Sequence, residues 1–478
     1  LYYRAILDCD FLVEIEQAYG KHFVDLADLE IRRFTPAIIE DLQEDNRLSA
    51  EYQKILATCQ VDFMGETRNL YGLTKFLQHP DRAIRRDAYL AWAGFFSQNE
   101  EKLDDLFDRL VRIRTSMALK MGFENYVEMG YLHMGRLDYG QKEVAAYRQQ
   151  VRDVIVPLCT QLYQRQQQRI GVDSLKYYDE AFQFTTGNPT PKGDTPFMLT
   201  AAQNMYDAIS PDTGAFFRMM TDRKLLELES KPNKAVGGYC DFLPKWSAPF
   251  IFSNFNGTAA DVDVLTHECG HAFMAYLSHQ ENTLPEYLFG SSETNEIHSM
   301  SMEFFAYPHM HLFFDEQADK YRFSHMADAL LFIPYGVAVD EFQHIVYANP
   351  DMTPADRKRA WQELERVYLP HRDYDGVSPM ANGGFWQKQL HIFMHPFYYI
   401  DYTLASISAF EFYGKMEADR AAAWWDYVAL CKLGGSQSYL ALLKRVHLKS
   451  PFEPGTVQSI LAPIRAVLEH TDDLALDR

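Results

Sequence analysis

The chain of 478 residues carries a helical repeat of apolar side chains over nearly its whole length, and this repeat limits the folds open to it. In residues 81–96 (DRAIRRDAYLAWAGFF) and 101–123 (EKLDDLFDRLVRIRTSMALKMGF), apolar side chains recur at spacings of three and four. The second segment ends on Gly122, a typical helix stop. A chain of this length with 47% hydrophobic residues can bury a large core. The sequence therefore predicts a mainly α-helical globular protein.

Two short segments interrupt the helical pattern and predict a small antiparallel sheet. Residues 236–243 (VGGYCDFL) and 248–255 (APFIFSNF) are rich in aromatic residues and are bounded by glycine, proline and asparagine. We expect no other strands in the chain.

A stretch rich in proline and glycine predicts a boundary between two lobes. Residues 185–196 (TTGNPTPKGDTP) contain three prolines and two glycines, which exclude regular structure. We expect an N-terminal helical lobe over residues 1–196 and a catalytic lobe over residues 197–478, with the two lobes interleaved.

Composition excludes two classes of partner. With 46 Lys and Arg against 66 Asp and Glu, the net charge of −20 would repel phosphate backbones, so nucleic-acid binding is not expected. The longest apolar stretch, Leu330–Val339, is interrupted by Pro334 and falls short of the roughly 20 residues that span a bilayer. We therefore expect a soluble protein without membrane contacts.

Six scattered cysteines form neither a CxxC pair nor a regular spacing, so the sequence suggests neither disulfides nor a thiolate metal site. Reduced thiols are typical of a cytoplasmic protein, which is the expected location. Because the sequence begins at Leu1 rather than at methionine, residues upstream of it, including a lost signal peptide, stay an open alternative.

Residues 267–271 read His-Glu-Cys-Gly-His inside an apolar helix that we expect to begin near Thr258. At about 100° per residue, His267 and His271 lie roughly 40° apart and one turn apart, so both imidazoles can reach one metal ion. Glu268 lies beside them at the edge of that face. A carboxylate there can take a proton from a water molecule that attacks the substrate. The pattern therefore predicts a metal site with its own catalytic base.

A catalytic zinc ion usually has three protein ligands, so a third is needed. The candidates lie in residues 291–308, where a second helix is predicted. Glu296 and Glu303 share one face of it, and one could bind the metal while the other orients a ligand histidine through its free ring nitrogen. Glu293 is the alternative ligand, although a glutamate in the first turn also complements the helix dipole.

Three segments together resemble a known family: residues 237–273 (from GGYCDF to THECGHAF), 295–305 (NEIHSMSMEFF) and 433–456 (LGGSQSYLALLKRVHLKSPFEPGT). They are similar to the thimet oligopeptidase and oligoendopeptidase F family of zinc peptidases, and most similar to its bacterial oligoendopeptidase F branch. In that family the third ligand follows the second histidine by 25 positions, which implies Glu296 here, and a further glutamate seven positions later fits Glu303. The resemblance therefore implies one Zn²⁺ per chain.

The resemblance also implies a shape and a substrate. Family members are two-lobed helical ellipsoids with a deep central channel, which admits short unstructured peptides and refuses folded proteins. We expect the small sheet to lie beside the active-site helix. An edge strand near residues 248–255 could then pair with the substrate backbone.

Residues 382–402 (NGGFWQKQLHIFMHPFYYIDY) match a region where the family places a histidine and tyrosines that stabilise the tetrahedral intermediate and grip the substrate. Hydrogen-bond donors aimed at a developing oxyanion meet that need. The histidine is His391 or His395. Tyr399 and Tyr402 have the Tyr-x-x-Tyr spacing of the family, and Tyr398 is also a candidate. Each of these aromatic residues could instead pack a core helix.

These features together predict a zinc-dependent oligoendopeptidase for short peptides, with Glu268 as the residue that activates water. Two alternatives stay open. One is a helical zinc carboxypeptidase, which carries the same motif, and the other is a peptide-binding protein that has lost turnover. The sequence does not determine the oligomeric state.

Overall fold

The computed structural model describes residues 1–231, 234 and 237–477, and this part of the chain contains 22 α-helices and five short strands. The predicted mainly α-helical fold is confirmed. No helix within the described residues is long and apolar enough to cross a membrane.

The helices before the predicted linker are α1 (Tyr2–Leu7), α2 (Leu12–Tyr19), α3 (Lys21–Arg32), α4 (Ile39–Ala57), α5 (Leu70–Thr74), α6 (Arg82–Lys120), α7 (Tyr126–His133), α8 (Gln141–Gln150) and α9 (Val156–Arg169). The next group is α10 (Thr195–Ile209), α11 (Pro211–Asp222), α12 (Ala259–Glu281), α13 (Ser292–Phe305), α14 (His311–Phe314), α15 (Ala318–Ala348) and α16 (Pro354–Tyr368). The last group is α17 (Leu390–Met394), α18 (Tyr399–Ala418), α19 (Arg420–Leu433), α20 (Tyr439–Arg445), α21 (Thr456–His470) and α22 (Asp473–Leu476).

The two periodic segments predicted at 81–96 and 101–123 form one continuous helix, α6, of 39 residues. The Asp81 side chain caps its start by accepting a hydrogen bond of 2.8 Å from the Ala83 N–H. The polar residues between the two segments contain neither glycine nor proline, so nothing in them ends the helix. After the helix ends, Gly122 adopts a φ of +86°, which lets the chain turn away.

The five strands are β1 (Val61–Phe63), β2 (Glu66–Arg68), β3 (Leu226–Glu229), β4 (Tyr239–Leu243) and β5 (Ala248–Phe255). The expectation of only two strands was wrong. The hairpin β1–β2 turns through Met64 and Gly65, both at positive φ, and β3 is held by parallel pairing with β5. Strands this short show little periodicity in the sequence, so pairing with another strand decides whether they form.

The predicted antiparallel pairing of residues 236–243 with 248–255 is confirmed between β4 and β5, although Val236 lies outside the described residues. Because β3 adds a parallel neighbour, the strand order is β3-β5-β4 and the sheet is mixed. β5 is therefore the central strand, and the expectation of a free edge at residues 248–255 was wrong. The free edge on the side of α12 belongs to β4, and α12 packs on β4 and β5.

The core around the motif is a layer of four helices. α13 packs between α12 and α18, and α18 also packs on α15. Ile297 and Met302 of α13 and Leu404 and Ile407 of α18 are completely buried in this layer. The positions of the polar side chains on α12 and α13 are therefore fixed by close packing on both sides.

The residues on either side of the predicted linker are joined by many contacts. Residues 185–194 have no regular structure, yet the Lys192 N–H donates to the Phe313 carbonyl over 2.8 Å. From the N-terminal region, the Tyr52 hydroxyl donates to the Gln387 carbonyl over 2.9 Å. The division into lobes of residues 1–196 and 197–478 stays a prediction, and these contacts agree with the expected interleaving.

Candidate metal and catalytic site

The turn between β5 and α12 is fixed by one carboxylate. α12 begins after Thr258, as expected, and the Asp261 side chain reaches back to accept hydrogen bonds from the N–H groups of Asn256 (3.0 Å) and Gly257 (2.6 Å). Thr258 makes no side-chain cap of its own. Asp261 thus holds the start of the helix against the end of the sheet.

Further along α12, about two and three turns after Asp261, His267 and His271 converge with Glu296 of α13. His267 Nε2 lies 3.3 Å from Glu296 Oε2, and His271 Nε2 lies 3.5 Å from the same oxygen. The three ligand atoms lie within 4.8 Å of one another, and in the described chain they are the one group of this kind that could hold a metal ion.

The spacing of these atoms fits zinc. Zn²⁺ bonds to nitrogen and oxygen are about 2.0 to 2.1 Å, so tetrahedral neighbours lie roughly 3.3 to 3.4 Å apart. The two nitrogen-to-oxygen distances of 3.3 and 3.5 Å lie close to that value. Two imidazoles and a carboxylate also leave a fourth position open for water or substrate, as catalytic sites require.

A further carboxylate, Glu303, orients the ligand His267. Glu303 Oε1 lies 2.6 Å from His267 Nδ1, and Glu303 Oε2 lies 2.6 Å from His325 Nε2. Burial would raise the pKa of Glu303, but its hydrogen bonds to both histidines outweigh burial and lower it. The carboxylate therefore accepts the Nδ1 proton of His267, which leaves Nε2 free to bind a metal.

Glu296 is held by two hydroxyl groups. Ser299 Oγ donates to Glu296 Oε2 over 3.1 Å, and the Tyr398 hydroxyl donates to Glu296 Oε1 over 2.9 Å. Burial, and then the nearby Glu296 carboxylate, raise the pKa of Tyr398 far above its usual value. Tyr398 therefore stays protonated and donates to the carboxylate.

Glu268 differs from the other carboxylates of the site because it lacks partners. The residue is buried, and its Oε2 has no hydrogen-bond partner among the described residues. A Cβ atom placed on Gly238 would lie 3.6 Å from Glu268 Oε1, so the backbone that leads into β4 runs beside this carboxyl group. Burial raises the pKa of Glu268 above its usual value. These properties suit a group that accepts and then returns a proton.

The predicted aromatic segment forms the opposite wall. The His391 ring lies 4.8 Å from the Tyr399 ring and stacks on Tyr398 at 5.6 Å. His391, Tyr399 and Tyr402 line the same cavity as His267. His395 is exposed and does not line that cavity, although its ring lies 6.4 Å from that of Tyr398.

A side-chain amide sets the orientation of His391. Gln389 Nε2 donates to His391 Nδ1 over 2.9 Å, while Gln389 Oε1 accepts from the Tyr335 hydroxyl over 2.8 Å. Burial, together with the nearby His395, lowers the pKa of His391 to about 4. The imidazole is therefore neutral near pH 7, and its remaining proton lies on Nε2, where it can be donated.

Glu293, the alternative ligand, lies elsewhere. It is 1% exposed and does not belong to the group that could hold a metal. Its nearest opposite charge is the buried Arg136, which counteracts the rise in the pKa of Glu293 that burial causes. The two ends of α13 thus face different surroundings.

The site opens into a cavity of about 410 Å³. Met300, Phe304, Phe332 and Phe410 belong to its apolar lining, and Asp263 and Asp328 supply acidic groups. Burial raises the pKa of Asp263 to about 6. The volume suits a large side chain of a bound ligand.

The sequence analysis did not predict several residues that the structure places at the site. Asp263 precedes His267 by one helical turn, so its spacing could have placed it on the same face. His325 lies on α15 and reaches Glu303 only through the packing of distant helices, which leaves no local pattern. Gln389 adjoins the predicted segment, but an amide between aromatic residues carries no signal of its own.

Known proteins share this arrangement of elements. Residues 212–460 match the model for Peptidase family M3. A crystal structure described as an oligoendopeptidase F is 53% identical with a TM-score of 0.96, and the match covers 99% of this chain and 84% of that one. Pz peptidase A with an inhibitor is 50% identical with a TM-score of 0.95, over 99% of this chain and 84% of that chain.

A curated relative is more distant. The oligoendopeptidase F homolog of Borreliella burgdorferi is 20% identical over 374 residues. The match covers 76% of this chain but only 61% of that relative, so the chain spans less than two thirds of its length.

Proposed function

This chain belongs to peptidase family M3, and from that premise we propose that it is a zinc-dependent oligoendopeptidase that hydrolyses internal bonds of short, unstructured peptides. One observation carries the proposal. Two histidine nitrogens lie 3.3 and 3.5 Å from one oxygen of Glu296, and beside them lies Glu268, a buried carboxylate with a free oxygen.

His267, His271 and Glu296 would hold the ion. When bound, Zn²⁺ supplies Lewis acidity, which makes water more acidic and the substrate carbonyl more electrophilic. The free Oε2 of Glu268 accepts the proton of the attacking water and returns it to the nitrogen of the departing amine.

The opposite wall stabilises charge on the substrate. His391 donates from Nε2, and Tyr402 faces the same cavity, so we assign both as donors to the oxyanion that forms at the carbonyl. Tyr398 has a different part, because its hydroxyl already holds Glu296. Tyr399 packs between His391 and Phe332 and shapes the wall.

Weak sequence preference follows from the sheet. β4 is an edge strand beside Glu268, and an extended peptide can pair with its free backbone groups. Main-chain hydrogen bonds do not depend on the identity of the side chains, so peptides of many sequences can bind. All six cysteines are free thiols, which agrees with the proposed cytoplasmic location.

The test is mass spectrometry of products from a peptide of about ten residues, blocked at both ends. The expected result is internal cleavage that chelator stops and added zinc restores. Release of single C-terminal residues from a free-acid peptide, without internal cleavage, would show a carboxypeptidase instead. Tight peptide and zinc binding without products would show a binding protein.

Glu268→Gln tests the mechanism in the same assay. The variant should bind zinc as before but lose about 100- to 10,000-fold in kcat, the usual share of a general base. Glu281→Gln is the matched control, because Glu281 lies exposed at the end of the same helix. Wild-type turnover in Glu268→Gln would refute the role of this carboxylate.

A further inference from the structure

One face of α15 continues the wall of the cavity beyond the candidate site. His325, Asp328 and Phe332 follow one another at helical spacing and line the cavity. Tyr335 comes three residues later, and its ring lies 5.9 Å from the ring of Tyr399, which also lines the cavity. The same face of α15, which we call the wall, therefore runs from the residues that line the cavity to Tyr335, which is not among them.

A lysine without a carboxylate partner lies at the end of this wall. The Lys388 ammonium lies 5.2 Å from the centre of the Tyr335 ring and 4.5 Å from that of Phe385. No Asp or Glu oxygen of the described residues lies within 4 Å of it, although nine other lysines of the described chain have such a partner. The Lys388 ammonium thus lies against two aromatic rings and has no carboxylate partner among the described residues.

Glu180, whose charge acts on Lys388, is already paired with another cation. Glu180 Oε1 lies 2.7 Å from Arg372 Nε, and Arg372 packs on the same Phe385 ring at 5.0 Å. Arg372 Nη1 is buried without a hydrogen-bond partner among the described residues. Burial, and then the Arg372 charge, lower the pKa of Lys388 to about 8. An unpaired ammonium in such surroundings is costly, and a bound anion would relieve that cost.

The distance along the wall sets the size of the ligand. Ten residues of α15 separate His325 from Tyr335, which is about 15 Å at 1.5 Å per residue. An extended peptide covers that distance with about four or five residues. This is too far for a carboxypeptidase, whose substrate ends one residue beyond the cleaved bond.

We propose that Lys388 binds the C-terminal carboxylate of the peptide substrate, about four residues beyond the cleaved bond. This inference rests on the proposed function. Every free peptide carries that carboxylate, so the contact favours substrates of a certain length and does not depend on their sequence. The acidic groups Asp263 and Asp328, at the other end of the wall, make the opposite orientation of the chain less favourable.

The test compares one peptide as a free acid and as a C-terminal amide. For the wild type, kcat/KM should be about 10- to 100-fold higher for the acid, the usual effect of a charge-assisted hydrogen bond. The advantage should be largest when about four residues follow the cleaved bond. In Lys388→Gln the ratio of acid to amide should fall to near one, and Lys388→Arg should restore most of it.

Lys102→Gln is the matched control, since Lys102 is exposed on α6 and should keep the wild-type ratio. Calorimetry on Glu268→Gln, with and without Lys388→Gln, measures the ratio of the affinities for the acid and the amide peptide. This measurement needs no turnover. A ratio near one in the wild-type background, or an unchanged ratio after Lys388→Gln, overturns the inference. Loss of cleavage with the binding ratio intact would instead overturn only the proposed function.

Discussion

Replacing Gly270 by alanine tests how closely the two helices that carry the metal ligands must approach. Gly270 lies inside the motif on α12 and faces α13. A Cβ atom there would lie 2.7 Å from the His298 carbonyl oxygen and 2.7 Å from Ser299 Cα. Both are backbone atoms, so no side chain can move aside.

The required movement can be worked from these contacts. Ordinary van der Waals contact begins near 3.4 Å, so the backbones would have to separate by about 0.7 Å from the present 2.7 Å. Glu296 lies on α13 and both histidines lie on α12, so this separation widens the ligand set. Metal sites tolerate errors of about 0.2 Å, and we expect zinc affinity to fall roughly 10- to 100-fold.

Stability should respond as well. Overpacking lowers the free energy of unfolding by about 1–3 kcal/mol, while alanine in place of a helical glycine raises it by about 1 kcal/mol. Gly94→Ala is the matched control, because Gly94 lies inside α6 and an added Cβ meets nothing within 4 Å. The difference in the free energy of unfolding between the two variants therefore isolates the packing term.

Zinc affinity is measured by competition with a chromophoric chelator, and stability by urea unfolding with chelator present. We expect Gly270→Ala to be less stable than Gly94→Ala by about 1–3 kcal/mol. If Gly270→Ala binds zinc like the wild type and is as stable as Gly94→Ala, close approach of the helices does not set the ligand geometry.

Two further changes probe the residues behind the ligands. Glu303→Gln should weaken zinc binding about 10- to 100-fold, because the amide is a poorer acceptor for the His267 proton; chelator competition measures this, and unchanged affinity would contradict it. Gln389→Glu should raise the pKa of His391, because a carboxylate beside Nδ1 favours the charged ring. By ¹⁵N NMR, the wild-type imidazole should stay neutral above about pH 5, since its pKa is lowered to about 4, whereas that of Gln389→Glu should titrate at higher pH. Gln389→Leu is the control without a charge, and a wild-type ring that carries its proton on Nδ1 would refute the assigned orientation.

Local patterns in the sequence predicted much of the structure. The start of α12, the helix that carries Glu296 and Glu303, and the pairing of β4 with β5 all follow from short-range spacing. The resemblance to oligoendopeptidase F is confirmed by the comparisons. These features depend on residues that are near each other in the chain, where periodicity is informative.

Other features depended on residues far apart in the chain. His325 meets Glu303 because α15 packs beside α13, and β3 exists because β5 offers it a parallel partner. Sequence spacing also could not decide which of the aromatic residues contacts a metal ligand. Tyr398 lies directly before α18 and contacts Glu296, which is more than 100 positions earlier, and no local rule separates Tyr398 from Tyr399.

That contact has a consequence for how the protein is made. Glu296 and Tyr398 are 102 positions apart, and at about 5–20 residues per second the ribosome needs roughly 5 to 20 s to add them. A nascent chain thus exposes its metal ligands well before the helix that supports them emerges. The ligands come first, and the wall that donates to the substrate is completed only seconds later.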